Sequence, residues 1–127
     1  LDMFTPLKNL IDDGLPVLGT CAGLILLSQN ISNDSARYFQ SLPVTVLRNA
    51  YGRQLGSFKT VSGFGQMRDV EMTFIRAPVI TETGDDVNIL SVVDDRIVAV
   101  EYKNQIGLSF HPELDEDTRI MEYFLSK

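Results

Sequence analysis

The 127-residue sequence is poor in the residues that build disulfides and metal sites, with one cysteine and one histidine. It also has no tryptophan. A single cysteine cannot form an internal disulfide, so we expect a reducing, cytoplasmic setting. One histidine and one cysteine far apart in the sequence make a poor zinc site, and we expect neither a metal nor another cofactor. No stretch of the given sequence resembles a signal peptide, and no apolar run approaches the roughly 20 residues that a membrane-spanning helix needs.

Basic residues are scarce as well. The 11 lysines and arginines face 17 aspartates and glutamates, for a net charge of −6, which argues against nucleic acid or an anionic membrane as a partner. Because 44% of the residues are hydrophobic, the chain can bury a real core, and we expect one domain over residues 1–127. The sequence starts at Leu1 without an initiator methionine, so we expect it to be a piece of a longer protein.

The apolar patterning predicts an α/β fold. A first helix with Phe4, Leu7, Leu10 and Ile11 on one face ends at Gly14, and a second runs from Ala22 to near Asn30. A terminal helix has a buried stripe of Ile120, Met121, Phe124 and Leu125. The predicted strands are 16–19, 44–47, 57–61, 70–75, 87–93, 96–102 and 105–110. Turn signals between the later strands predict antiparallel hairpins in a mixed sheet.

The lone cysteine lies in Gly-x-Cys-x-Gly, where an apolar strand meets a helix. This pattern is typical of a nucleophile elbow, in which Gly19 and Gly23 allow a sharp turn that exposes the Cys21 side chain. The N–H of Ala22 would then point to where an oxyanion forms. A helix N-terminus favours a thiolate, so we expect the pKa of Cys21 to lie below about 8.5. The alternative is that Cys21 only fills the core.

The only histidine follows the last predicted strand. His111 therefore lies at a strand end, where the catalytic groups of open α/β sheets collect. Pro112 ends the strand and turns the chain, so that Glu113 can reach back to the imidazole. Cys21, His111 and Glu113 fit the roles of nucleophile, base and orienting acceptor. Taken alone, His111 fits a surface or capping role better than a catalytic one.

Four motifs in order resemble a known family. "GTCAG" (19–23) and "SFHPEL" (109–114) are similar to the class I glutamine amidotransferases, whose Cys-His-Glu triad hydrolyses glutamine. "LRNAYGRQLGSF" (47–58) and "FIRAP" (74–78) resemble, within that class, the glutaminase subunits of pyridoxal 5′-phosphate synthases. The resemblance implies a three-layer α/β sandwich. That family opens with a strand, a helix and a "GGES"-type loop before the region where this chain starts, so we expect the N-terminal part of the domain to be missing.

The resemblance also implies roles for individual residues. Cys21 is the nucleophile, His111 the base and Glu113 its partner. Arg48, Ile75 and Arg76 correspond to glutamine-binding positions, and an arginine suits the α-carboxylate of glutamine because its two N–H groups can bind both oxygens. The implied partners are L-glutamine and a synthase subunit that receives the ammonia. Two alternatives stay open: an amidase serving a different synthase, and a non-catalytic docking domain.

Overall fold

A seven-stranded mixed sheet forms the middle of the fold in the computed structural model, which describes residues 4–48 and 57–127. Part of the third motif, residues 49–56, lies outside the described residues. The helices are α1 (Phe4–Asp12), α2 (Ala22–Leu27) and α3 (Arg119–Leu125), with a short 3₁₀ turn at Pro112–Leu114. The strands are β1 (Val17–Thr20), β2 (Ser28–Ile31), β3 (Leu42–Leu47), β4 (Ser57–Phe64), β5 (Met67–Ile75), β6 (Val79–Thr83), β7 (Asn88–Val93), β8 (Arg96–Tyr102) and β9 (Gln105–Leu108).

The strand order in the main sheet is β1-β9-β8-β6-β3-β2, with β7 paired to β8. The β1–β9 and β2–β3 pairs are parallel, whereas β7–β8 and β8–β9 are antiparallel hairpins. Strands β4 and β5 form a separate two-stranded antiparallel sheet. The mixed sheet and its antiparallel hairpins match the expected architecture.

Two hydrophobic clusters hold three layers together. On one side, Ile11 of α1 and Leu24 and Leu27 of α2 pack with residues of β3, β6 and β8. On the other side, the β4–β5 hairpin and Ile120 of α3 pack with residues of β8 and β9. The sheet therefore lies between a helical layer and a layer made of the hairpin and α3, which confirms the predicted α/β sandwich.

The second helix is shorter than its apolar run predicts. It ends at Leu27, where the hydroxyl of Ser28 donates to the Ile25 carbonyl at 2.7 Å. Residues 28–31 then form β2, because they pair with β3 and bury Ile31 against the core. Strand β6 was not predicted, and the last strand ends at Leu108 rather than at Phe110. Strand pairing forms β2 and β6, and neither pairing is visible in the local apolar pattern.

The predicted apolar helix faces are only partly buried. Ile11 and Ile120 belong to the core, but Leu7 and Leu10 of α1 are exposed, and Leu125 at the end of α3 is 76% exposed. The prediction that Leu125 is buried is therefore wrong. No helix in the described part of the chain is long and apolar enough to cross a membrane.

Candidate active site

Two adjacent parallel strands bring the predicted nucleophile and base to one edge of the sheet. In the β1–β9 pair, Thr20 lies opposite Leu108, and the N–H of Cys21 donates to the Leu108 carbonyl at 2.8 Å. Cys21 therefore follows β1 at the level where Ser109 follows β9. Since His111 comes two residues after Ser109, the strand register itself places both predicted catalytic residues at this edge.

The backbone at Cys21 has the sharp turn of an elbow. Its φ of 51° and ψ of −101° lie in a region that non-glycine residues occupy only under strain, and such strain concentrates at functional sites. The turn brings β1 and α2 so close that a Cβ atom at Gly19 would lie 2.7 Å from Leu27 and 2.9 Å from the Gly23 backbone. A Cβ atom at Gly23 would meet no described atom within 4 Å. Close packing thus requires glycine at Gly19 but not at Gly23.

The Cys21 thiol is buried and neutral. Its Sγ–H donates to the Ser109 carbonyl at 3.2 Å, and the residue is 8% exposed. Burial raises the pKa of Cys21 from 9.0 to about 12, and the negative charge of Glu113 acts in the same direction. The expectation of a lowered pKa is therefore wrong for this state, because burial and the nearby Glu113 charge both raise the pKa of the thiol.

His111 and Glu113 form the predicted pair. The imidazole Nδ1 lies 2.8 Å from Oε2 of Glu113, with the His111 side chain 25% and the Glu113 side chain 55% exposed. In the tautomer whose Nδ1–H donates to this carboxylate, Nε2 is the basic nitrogen. Among the contacts of the described residues, the thiol of Cys21 donates to Ser109 and not to this imidazole. The structure thus brings all three residues to one edge, with the thiol bonded to a backbone carbonyl.

Strand β5 supports the histidine from behind. The N–H of His111 donates to the Thr73 carbonyl at 2.9 Å, and the Thr73 hydroxyl donates to Oδ1 of Asp115 at 2.8 Å. Neither contact was foreseen, because Thr73 lies in an ordinary strand pattern and its partners are about 40 residues away. Only the packing of the hairpin against the sheet reveals them.

Ile75 and Arg76 lie directly beyond this support. Ile75 is the last residue of β5 and is 43% exposed, and Arg76 is exposed with a φ of 46°. Ala22 is the exposed first residue of α2. The first N–H groups of a helix have no acceptor within that helix. The end of β5 therefore offers the apolar side chain of Ile75 and the guanidinium of Arg76. The elbow offers the amide N–H of Ala22.

Arg48 stands apart from these groups in its contacts. It follows β3, and its Nη1 donates to Oδ2 of Asp34 at 2.9 Å. The Arg48 backbone and the Asn33 side chain also exchange two hydrogen bonds of 3.2 Å each. A substrate carboxylate that binds Arg48 must therefore share its guanidinium with Asp34.

No cluster of three or more His, Cys, Asp or Glu side chains suited to a metal ion is present among residues 4–48 and 57–127. The chemistry that the described side chains offer is that of a thiol, an imidazole and a carboxylate. Such a set can perform nucleophilic attack and proton transfer.

A strained cysteine elbow beside a strand-end His–Glu pair in an α/β sandwich is the arrangement of a glutamine amidotransferase, and the sequence comparison agrees. The chain belongs to the SNO glutamine amidotransferase family, whose sequence model matches residues 1–127. It is 65% identical over 125 residues to pyridoxal 5′-phosphate synthase subunit PdxT of Desulfitobacterium hafniense, covering 98% of this chain and 63% of that protein.

Other relatives give the same result. The chain is 50% identical over 125 residues to pyridoxal 5′-phosphate synthase subunit PdxT of Methanocorpusculum labreanum, covering 98% of this chain and 66% of that protein. A solved crystal structure of a glutamine amidotransferase superposes with a TM-score of 0.92 at 35% identity, covering 98% of this chain and 67% of the other. The chain thus spans slightly less than two thirds of the length of either PdxT relative.

Proposed function

We propose that this chain carries the catalytic triad of a glutaminase subunit that hydrolyses L-glutamine to glutamate and ammonia. The observation that carries the proposal is the shared edge of β1 and β9, where the strained Cys21 turn and the His111–Glu113 pair both lie. The PdxT relatives, named as subunits of pyridoxal 5′-phosphate synthase, support the further proposal that the ammonia passes to a synthase subunit of that kind.

The chemistry follows from the three side chains. His111 takes the thiol proton as Sγ of Cys21 attacks the side-chain amide carbon of glutamine, and the Ala22 N–H stabilises the oxyanion. His111 then gives this proton to the amide nitrogen, the C–N bond breaks to release ammonia, and a γ-glutamyl thioester remains on Cys21. The imidazole next activates a water molecule, glutamate departs, and the thiol is restored. Glu113 orients the imidazole and stabilises its charged form.

Glutamine binding is assigned to Arg48, Ile75 and Arg76. The guanidinium groups suit the α-carboxylate of a free amino acid. The position of Ile75 and Arg76 two and three residues beyond Thr73, whose carbonyl accepts the His111 N–H, supports their assignment. Arg48 has Asp34 as its partner in this structure, so its role requires the guanidinium to bind substrate in place of that carboxylate or beside it.

The test is glutamate formation by the full-length subunit, with and without the synthase subunit, at two ionic strengths. Cys21→Ala should abolish turnover, His111→Asn should be nearly as severe, and Glu113→Gln should be milder. Glu116→Gln is the matched control, because Glu116 is an exposed glutamate in the same segment and should keep full activity. The acidic balance of the chain predicts that synthase binding weakens as salt rises.

Three results would contradict parts of this proposal. Wild-type turnover in His111→Asn would refute the role of the imidazole. Full activity without a synthase would indicate a stand-alone amidase. Synthase binding without glutamate formation would indicate a docking domain.

A further inference from the structure

The segment that carries His111 and Glu113 is fastened along one edge of β5. Five hydrogen bonds join this segment to β5, and the two run in opposite directions. Thr73 binds the His111 N–H and the Asp115 carboxylate, and the Glu71 N–H donates to Asp117. Further along, the Arg119 guanidinium donates to the carbonyls of Arg68 at 2.9 Å and Asp69 at 3.1 Å.

Of these hydrogen bonds, Thr73 makes the two that lie nearest to His111. Its carbonyl accepts the His111 N–H at 2.9 Å, and its hydroxyl donates to Oδ1 of Asp115 at 2.8 Å. His111 and Asp115 lie on either side of the 3₁₀ turn Pro112–Leu114, which contains Glu113. Both ends of the turn that holds the His111–Glu113 pair are therefore tied to one residue.

The second contact joins a buried hydroxyl to a half-buried carboxylate. Thr73 is 6% exposed, and the other oxygen of Asp115, Oδ2, is buried without a hydrogen-bond partner among the described residues. A hydrogen bond to a charged group contributes more than a neutral one, and more still where water is excluded. Without the Thr73 hydroxyl, the Asp115 carboxylate loses its hydrogen bond to β5. It should then rotate toward water, and the 3₁₀ turn Pro112–Leu114 should shift with it.

We infer that Thr73 is a positioning residue that sets the His111–Glu113 pair through its hydrogen bond to Asp115. Thr73 does not touch the reacting atoms, and this inference rests on the proposed glutaminase function. Because β5 ends two residues later at Ile75, the same strand supports the base and leads into Ile75 and Arg76, two of the three residues proposed to bind glutamine.

The first test measures geometry without any activity. In the full-length subunit, amide hydrogen exchange of the His111 N–H is compared with that of the Ser109 N–H, which donates to the Val98 carbonyl at 2.8 Å and does not contact Thr73. Thr73→Val keeps the shape and the backbone carbonyl but removes the hydroxyl. We expect protection at His111 to fall about tenfold relative to Ser109, and Thr73→Ser to restore it.

The second test measures turnover in the complex with the synthase subunit. Thr73→Val should lower kcat about tenfold and leave KM for glutamine within about twofold, and Thr73→Ser should recover most of kcat. Thr81→Val is the matched control, because the Thr81 hydroxyl donates to a carbonyl at Thr45 in the main sheet. If Thr73 acts through Asp115, Thr73→Val should have little further effect on kcat in an Asp115→Ala background.

The outcomes separate the two proposals. Equal loss of protection at His111 and Ser109, or unchanged protection and kcat in Thr73→Val, would overturn the positioning role. Selective loss at His111 supports it even if the wild-type complex forms no glutamate, and that absence of glutamate would refute the proposed function instead.

Discussion

The Cys21 thiol should be unreactive in the resting protein. Its pKa of about 12 means that, near pH 8, the thiolate fraction is roughly a thousandfold lower than for a group at the ordinary value of 9.0. A more basic thiolate is a better nucleophile, with a Brønsted slope of about 0.4–0.5 for thiols. This higher nucleophilicity recovers roughly 15- to 30-fold of the thousandfold loss in thiolate. Native alkylation should therefore be at least about 30-fold slower than alkylation of the unfolded chain.

The assay is simple because the chain has one cysteine. Iodoacetamide is added near pH 8 to the native protein and to the same protein in urea, and the rate is followed by intact mass. The native rate should keep rising with pH toward about 12, since the buried thiol ionises only there.

A charge variant separates the two causes of the raised pKa. Glu113→Gln removes the repulsion that Glu113 exerts on a Cys21 thiolate and should accelerate native alkylation, although by less than unfolding does, because burial is the larger cause. Glu116→Gln is the control with an exposed glutamate in the same segment. A native rate equal to the unfolded rate, or no acceleration in Glu113→Gln, would refute this account of the site.

Two further predictions concern stability. Gly19→Ala should destabilise the fold by about 1–3 kcal/mol, because its Cβ would lie 2.9 Å from the Gly23 backbone. Gly23→Ala should be neutral or stabilising by up to about 1 kcal/mol, because alanine has the higher helix propensity within α2. Urea unfolding measures both changes, and equal effects would contradict the packing argument. Arg119 lowers the pKa of Asp117 to about 2, so its contribution to stability is present above pH 3.8 and is lost as the pH falls toward 2. Asp117→Asn should flatten the acid limb of stability against pH, and an unchanged limb would contradict this.

The candidate chemistry was readable from the sequence because it depends on local patterns. Gly-x-Cys-x-Gly at the end of an apolar strand predicts a tight elbow, and the φ of 51° at Cys21 bears out the backbone conformation that this pattern requires. His-Pro-Glu after a strand likewise predicts a short turn, and the 2.8 Å contact between His111 and Glu113 forms within it. Backbone sterics over a few residues decide both features.

The sequence alone determined the α/β class, most of the helices and strands (β2 and β6 excepted) and the identity of the thiol, imidazole and carboxylate. The tertiary structure decided the burial, the protonation and the contacts of the functional side chains. It buried the Cys21 thiol and raised its pKa where the local pattern favours a lowered one, it paired Arg48 with Asp34, and it placed Thr73 behind His111. Burial, ion pairing and bracing contacts join residues far apart in sequence, and their strength depends on how much water the fold excludes, which no local pattern records.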